Sequence, residues 1–107
     1  MITKKEDYEG LIGTSFHGVT IEKVSTNQLI QVLGFEPERD SNDEKTTREW
    51  RVDTEYGSFC IYDWKYYSEF TDDTKITWHI GGKSKEKEEE LLNEISKALS
   101  MYELETT

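Results

Sequence analysis

Alternating apolar and polar side chains predict an antiparallel sheet in the middle of the chain. The first strand carries Trp50 and Val52 between charged residues, which is the period of a strand with one buried face. A second strand, at residues 59 to 64, carries bulky side chains on both faces, so we expect it at the centre of the sheet. A turn at Tyr56-Gly57-Ser58 makes these two a hairpin, and residues 75 to 80 complete a three-stranded meander.

Two helices are predicted from capping signals and from apolar residues spaced three to four apart. Ser25 and Gln28 fit a capping box, and Gly34 stands where a left-handed C-terminal cap belongs, so a helix of about two to three turns lies between them. From Ser84 to Tyr102 the apolar spacing is typical of a long amphipathic helix packed across the sheet. The tail after it is expected to fray.

The remaining segments carry weaker signals. Residues 3 to 12 suggest one or two polar helical turns, and the β-branched residues between 15 and 24 favour a short edge strand. Residues 36 to 46 hold no apolar residue except Pro37, which predicts an exposed, mobile loop. The sequence thus predicts one α+β domain, with a small antiparallel sheet of three to four strands and a long C-terminal helix on one face.

Composition narrows the class of protein. The net charge is −10, from 13 Lys and Arg against 23 Asp and Glu, so most of the surface repels nucleic acid phosphates. Cys60 is the only cysteine, which rules out an intramolecular disulfide and favours a reducing cytoplasm. No apolar stretch is long enough for a signal peptide or a membrane span. We therefore expect a cytoplasmic protein that binds neither nucleic acid directly nor a membrane.

The passage from the last strand to the long helix is the strongest candidate for a binding site. Gly81-Gly82-Lys83-Ser84 resembles the end of a phosphate-binding loop, but that motif needs a further glycine where Thr77 stands. Two glycines before a helix N-terminus still favour convergent amide groups, and with the lysine they predict an anion site. The alternative is that the glycines only turn the chain and Ser84 only caps the helix.

Aromatic residues near this turn suggest base stacking, with lysines available for phosphates. Trp78 fits better as a core residue, because it lies on the apolar face of its strand. The predicted ligand-binding residues are Trp64, Lys65, Tyr66, His79, Gly81, Gly82, Lys83 and Ser84.

Signals for catalysis or metal binding are weak. His79 and His17 are candidate general bases that Asp63 would orient, but nothing in their spacing selects them. Two histidines and one cysteine do not make an ordinary zinc site. We expect no enzyme activity, no metal and no cofactor. The acidic stretches at residues 36 to 44 and 86 to 90 are interleaved with cations, which favours solvated surface over mimicry of a nucleic acid.

The last three quarters of the chain contains a series of short motifs separated by a charged loop. They are Leu33-Gly34-Phe35 with Pro37, Trp50, Gly57-Ser58-Phe59, Ile61-Tyr62-Asp63-Trp64-Lys65 and Trp78-His79-Ile80-Gly81-Gly82. The Ile-Tyr-Asp-Trp-Lys and Trp-His-Ile-Gly-Gly segments are the specific parts of this pattern, which resembles a family of small bacteriophage proteins.

The resemblance implies a counter-defence role in the host cytoplasm. Phage proteins of this size often counter host defence, either by sequestering nucleotide immune signals or by blocking a defence protein. We therefore expect a non-catalytic sponge for a nucleotide-type signal, formed as a homodimer or higher homo-oligomer so that subunits enclose the ligand. The alternative is an acidic protein-binding inhibitor of the anti-CRISPR or anti-restriction type.

Overall fold

A computed structural model shows an α+β fold in which two helices pack on one face of an antiparallel sheet. The structure describes residues 2–6, 11, 13–39, 47–64 and 70–106. Within these residues the strands are β1 (Thr3–Lys4), β2 (Ser15–Val24), β3 (Glu49–Thr54), β4 (Gly57–Tyr62) and β5 (Ile76–Gly82). The helices are α1 (Thr26–Leu33) and α2 (Lys85–Thr106).

The strand order is β1-β3-β4-β5-β2, with every neighbouring pair antiparallel. The meander of β3, β4 and β5 is confirmed, as are the central place of β4 and the edge place of β2. The predicted count of three to four strands is wrong, because β1 and β2 extend the meander on both sides to give five strands.

The N-terminal segment departs from its prediction. Thr3 and Lys4 pair with Asp53 and Val52 instead of starting a helical turn, and the Lys5 amide donates to the Arg51 carbonyl at 2.9 Å. This pairing provides hydrogen-bond partners for backbone groups of β3 that would otherwise be open to solvent. Local helical propensity contains no information on pairing with a distant strand, so the prediction failed. Residues 7 to 10 and residue 12 of that prediction lie outside the described part of the chain.

Alternation along the strands builds the core. Trp50, Val52, Phe59 and Ile61 are almost completely buried, whereas their neighbours along each strand are half-buried. Trp78 is also fully buried, as predicted, and its ring meets that of Trp50 edge to face at 5.2 Å. Each indole has a backbone acceptor, since Trp50 Nε1 donates to the Phe35 carbonyl at 3.0 Å and Trp78 Nε1 to that of Val24 at 2.8 Å.

The signals that predicted α1 act as expected. Ser25 Oγ accepts from the Gln28 amide at 3.1 Å, and Gln28 Oε1 accepts from the Ser25 amide at 2.8 Å, which completes the capping box. Gly34 ends the helix with φ of 88°, and its amide donates to the Ile30 carbonyl at 2.8 Å.

Helix α2 covers the sheet through the predicted apolar stripe. Leu91 and Ile95 are fully buried in the core, and Leu92 and Leu99 pack against it. The expectation that the chain frays after Tyr102 is wrong up to Thr106, because the helix continues to that residue. No glycine or proline interrupts this last turn.

The predicted loop at residues 36 to 46 begins as ordered structure. Pro37 is buried, and Glu38 forms a β-bridge with Glu49 through amide-to-carbonyl bonds of 2.7 and 2.9 Å. The prediction of an exposed loop is therefore wrong at Pro37 and holds for the side chains of Glu36, Glu38 and Arg39. Residues 40 to 46 lie outside the described residues.

Candidate functional site

Four aromatic rings form a cluster on the sheet face opposite the helices, and we call Phe16, Tyr62, Trp64 and His79 the aromatic surface. Register places Tyr62 of β4 opposite His79 of β5. The Phe16 ring stacks on His79 with centroids 4.1 Å apart and an interplanar angle of 14°. Trp64 lies nearly parallel to His79 at 6.2 Å and 25°. His79 is thus flanked by Phe16 and Trp64.

Tyr62 closes one side of this cluster. Its ring meets His79 and Trp64 edge to face at 5.6 and 6.1 Å. It also lies over Gly81, where an added Cβ would make an ordinary contact of 3.5 Å with Tyr62 Cε1. Phe16 and Trp64 remain 43% and 36% exposed. Exposed aromatic faces beside half-buried ones are typical of a surface that binds a flat ligand.

The aromatic surface is uncharged at neutral pH. Burial lowers the pKa of His79, so its imidazole is neutral at pH 7. Burial also raises the pKa of the Tyr62 phenol, and it raises that of the neighbouring Cys60 thiol to about 12. A thiol with such a pKa is a poor nucleophile. The surface therefore suits stacking better than chemistry.

Phe16 and Tyr62 belong to the aromatic surface but are not among the predicted ligand-binding residues, and Phe16 reaches the surface through an irregular strand register. The register of β2 shifts between Phe16, opposite Gly81, and Thr20, opposite His79, so that four residues of β2 span two positions of β5. This bulge carries the Phe16 ring over His79. Gly18, with φ of 93°, is its sequence signal, because a glycine inside a strand often marks a bulge.

The Gly81-Gly82 pair does not form the predicted amide nest. Both glycines belong to β5, and neither has φ in the left-handed region. A Cβ on Gly82 would lie 2.8 Å from Phe59 Cδ1 and 2.9 Å from Glu88 Cγ. Gly82 is therefore required for close packing of α2 against the sheet. Ser84 Oγ accepts from the Lys87 amide at 3.3 Å, so it caps α2.

Lys83 and Ser84 nevertheless line a cleft, which we call the lysine cleft. It has a volume of about 320 Å³ and is bounded by Lys87 of α2 and by residues 56 to 59 of the β3–β4 hairpin. Two lysines at a helix N-terminus favour an anion there.

The structure divides the predicted site instead of assembling it. Trp64, His79 and Gly81 belong to the aromatic surface, and Lys83 and Ser84 to the lysine cleft. Along β5, His79 and Lys83 are four residues apart, or roughly 13 Å. Gly82 packs under α2, and Lys65 and Tyr66 lie outside the described residues.

Asp63 has a structural role, so the prediction that it orients a histidine is wrong. Its fully buried carboxylate accepts from the Thr47 amide at 2.8 Å, the Thr47 hydroxyl at 2.7 Å and the Arg48 amide at 2.9 Å. These bonds join the end of β4 to the start of β3.

His17 has a different carboxylate partner. Its Nδ1 lies 2.7 Å from Glu88 Oε2 in α2, and Glu88 is fully buried. Burial raises the pKa of Glu88, against the opposing effect of the His17 hydrogen bond. Sequence reasoning missed this pair because Glu88 stands within a run of charged residues. The spacing of Glu88 indicates its burial, because it stands three residues before Leu91 and seven before Ile95 and therefore lies on the buried stripe of the helix.

This burial predicts a pH-dependent contribution to stability. A carboxyl whose folded-state pKa is raised stabilises the fold while protonated, and that stabilisation is lost as pH rises from the ordinary glutamate value of 4.5 through the raised value. We expect the difference in unfolding free energy, Glu88→Gln minus wild type, to increase with pH above 4.5, as measured by urea denaturation. The matched variant at exposed Glu86, Glu86→Gln, should show no such trend. A difference that decreases with pH would mean that the His17 interaction dominates.

The acidic stretches are partly paired or buried. Glu36 and Glu38 lie 3.4 Å from Arg39 and Arg51, respectively, and Glu88 is buried. These contacts reduce the negative charge that the two stretches offer to a basic partner.

Among the described residues, no group of three or more His, Cys, Asp or Glu side chains could hold a metal ion. Neither α1 nor α2, as described, combines the length and apolar character needed to cross a membrane.

The fold and site define a small α+β protein with an open aromatic surface on one face of its sheet and helices on the other. Comparisons with protein-family models, curated proteins and solved structures gave no match.

Proposed function

We propose that the protein binds a nucleotide-type small molecule on its aromatic surface and sequesters it without turnover. The near-parallel rings of Trp64 and His79, with centroids 6.2 Å apart, carry this proposal. A base inserted between two rings needs about 7 Å, because carbon atoms pack about 3.5 Å apart. A shift of about 1 Å by the partly exposed Trp64 opens that space.

The neighbouring rings support this mode of binding. Phe16 stacks on His79, and the Tyr62 ring meets both His79 and Trp64 in edge-to-face contacts. A neutral His79 stacks on a base without a charge to desolvate. Each base stacked on an aromatic side chain contributes about 1 to 3 kcal/mol.

Phosphate recognition is assigned to lysines outside the aromatic surface. Lys83 and Ser84, with Lys87, would hold a phosphate in the lysine cleft. The aromatic surface and the lysine cleft lie on opposite faces of the sheet, and the backbone from His79 to Lys83 spans roughly 13 Å. A ligand that reaches both has to extend at least that far around the end of the sheet, which favours a dinucleotide over a mononucleotide. Lys65 and Tyr66 follow Trp64 directly and are proposed as further contacts.

Sequestration is the role that fits both this surface and the resemblance to phage proteins. A counter-defence sponge needs tight binding and slow release. The aromatic surface is uncovered by the described helices, so a second copy packed over it would enclose the ligand. A homodimer is therefore part of the proposal, to be tested by light scattering with and without ligand.

The test is titration calorimetry after a thermal-shift screen with cyclic dinucleotides, cyclic ADP-ribose isomers and related nucleotides. A ligand should raise Tm, and Trp64→Ala should weaken its binding about 10-fold or more, from the loss of stacking. Phe16→Ala should weaken binding less, because Phe16 stacks on His79 and does not contact the base. Met101→Ala is the matched control, since Met101 is 63% exposed on α2 and outside the aromatic surface. Lys83→Ala separates a ligand that reaches the lysine cleft from one that only stacks.

Two outcomes would overturn the proposal. One is that no nucleotide raises Tm. The other is that the protein binds a host protein, and that the affinity of this complex falls steeply as salt rises and when charges at residues 86 to 90 are reversed. The affinity would also have to be unchanged by Trp64→Ala. That result would favour the acidic inhibitor.

A further inference from the structure

Ser15, His17 and Glu88 form a hydrogen-bonded chain on the helix side of β2. Ser15 Oγ lies 3.3 Å from His17 Nε2, and His17 Nδ1 lies 2.7 Å from Glu88 Oε2. This is the order of contacts in a hydrolytic triad: nucleophile to one ring nitrogen, carboxylate to the other. We propose that these residues hydrolyse short carboxylic esters, at a site separate from the aromatic surface.

The fold brings the three residues together from distant parts of the sequence. Ser15 and His17 are two residues apart on β2, whereas Phe16 between them points to the aromatic surface. Glu88 reaches His17 from the first turns of α2. Gly82, opposite Ser15 in the register, lets the Glu88 side chain approach the sheet.

The carboxylate is placed to fix the tautomer of the imidazole. With Nδ1–H donating to Glu88 Oε2, the lone pair of Nε2 faces the Ser15 hydroxyl. Glu88 is fully buried, and its Oε1 has no hydrogen-bond partner in the described part of the chain. A buried carboxylate with one unpaired oxygen is costly to a fold, and positioning a base is a role that would account for its retention. Glu88 is thus a positioning residue, and Ser15 and His17 are the catalytic pair.

The reaction follows from these contacts. Ser15 Oγ attacks the ester carbonyl carbon as its proton passes to His17 Nε2. The bond from that carbon to the alcohol oxygen breaks, and His17 returns the proton to the leaving alcohol. Water then attacks the acyl-serine, with His17 as base, and the acid leaves as the proton returns to Ser15 Oγ. The net reaction is ester plus water to acid plus alcohol.

An open groove of about 460 Å³ lies between the part of β2 that follows His17 and the first turns of α2. Its lining does not include Ser15, His17 or Glu88 and consists of their sequence neighbours Gly18, Val19, Thr20, Glu22, Lys85, Glu89 and Leu92. Ser15 is exposed, and the side chain of His17 is 34% exposed. The small apolar part of this lining, Val19 and Leu92, suits a short acyl chain.

The experiment is covalent labelling with a fluorophosphonate, located by peptide mass spectrometry and paired with p-nitrophenyl acetate hydrolysis. We expect an adduct on Ser15 and a burst of one nitrophenolate per chain. Ser15→Ala should lose both, yet keep the slow direct hydrolysis by the His17 imidazole. His17→Gln should slow labelling about 100-fold or more. Glu88→Gln should slow the labelling of Ser15 less and should change the pH profile of its rate. Loss of a purely structural carboxylate would not change that profile.

Ser58 serves as the reference serine, because its hydroxyl donates to the Asp53 carboxylate instead of facing a histidine. Circular dichroism should show that Ser15→Ala and His17→Gln fold as the wild type does. The inference is overturned if Ser15 is labelled no faster than Ser58. It is also overturned if Ser15 is labelled at the same rate in folded His17→Gln as in the wild type. Nucleotide binding by Ser15→Ala should match wild type, so this test fails or succeeds independently of the proposed function.

Discussion

Replacing Gly82 with alanine is expected to lower the free energy of unfolding by about 2 kcal/mol. The added Cβ would lie 2.8 Å from Phe59 Cδ1 and about as close to the Glu88 side chain. Both neighbours are buried, so neither can move away without disturbing the packing of α2 on the sheet. Overpacking of this kind costs about 1 to 3 kcal/mol. Chemical denaturation measures this loss of free energy, provided that the variant still unfolds in one cooperative transition.

Gly81→Ala is the matched control one residue away. Its Cβ would lie 3.5 Å from Tyr62 Cε1 and no closer to any other atom, an ordinary contact distance. Alanine also loses less conformational entropy than glycine in a strand, which offsets part of any remaining strain. We expect a change within about 0.5 kcal/mol. Equal losses at both positions would show that α2 does not pack as closely over Gly82 as described.

Replacing Asp63 with alanine is expected to cost roughly 3 kcal/mol. The change removes three hydrogen bonds to a buried carboxylate and leaves the Thr47 and Arg48 amides without that acceptor. These contacts hold the start of β3 beside the end of β4, so we also expect faster hydrogen exchange at both strand ends. Thermal or urea unfolding measures the loss of stability, and exchange mass spectrometry locates it.

Asp63→Asn distinguishes lost hydrogen bonds from lost charge. The amide oxygen can still accept from both backbone amides, and its NH₂ can donate to the Thr47 hydroxyl. We expect this variant to lose about 1 kcal/mol. Asp73→Ala is a surface control, since Asp73 is exposed and its carboxylate accepts from the side chain of Asn27, which is also exposed. If Asn is as damaging as Ala at position 63, the negative charge itself is needed there.

Local patterns predicted much of the fold. The alternation around Trp50 and Phe59, the capping box at Ser25 and the spacing of Leu91 and Ile95 each depend on near neighbours in sequence. Such signals report which face of an element is buried, and that is enough to place β4 at the centre and α2 across the sheet.

The rest depends on pairings between distant segments. Nothing near Thr3 indicates that it pairs with Asp53, and nothing near Phe16 indicates His79 as its neighbour. The predicted binding residues include His79 and Lys83, which are separated by roughly 13 Å of extended backbone and so lie in different parts of the structure. Glu88 was read as solvated because its neighbours are charged, although helical periodicity places it on the buried stripe.

The irregular register of β2 has a consequence for assembly. An edge strand exposes amide and carbonyl groups that can recruit a strand from another molecule, and natural sheets prevent this with bulges and charge. Beyond the shift after Phe16, β2 shifts again before Val24, where Lys23 has φ of 60°. A regular ladder between two copies cannot form along such a strand. The edge at β2 therefore disfavours extension of the sheet by another molecule, and the homodimer proposed above would form through side chains of the aromatic surface.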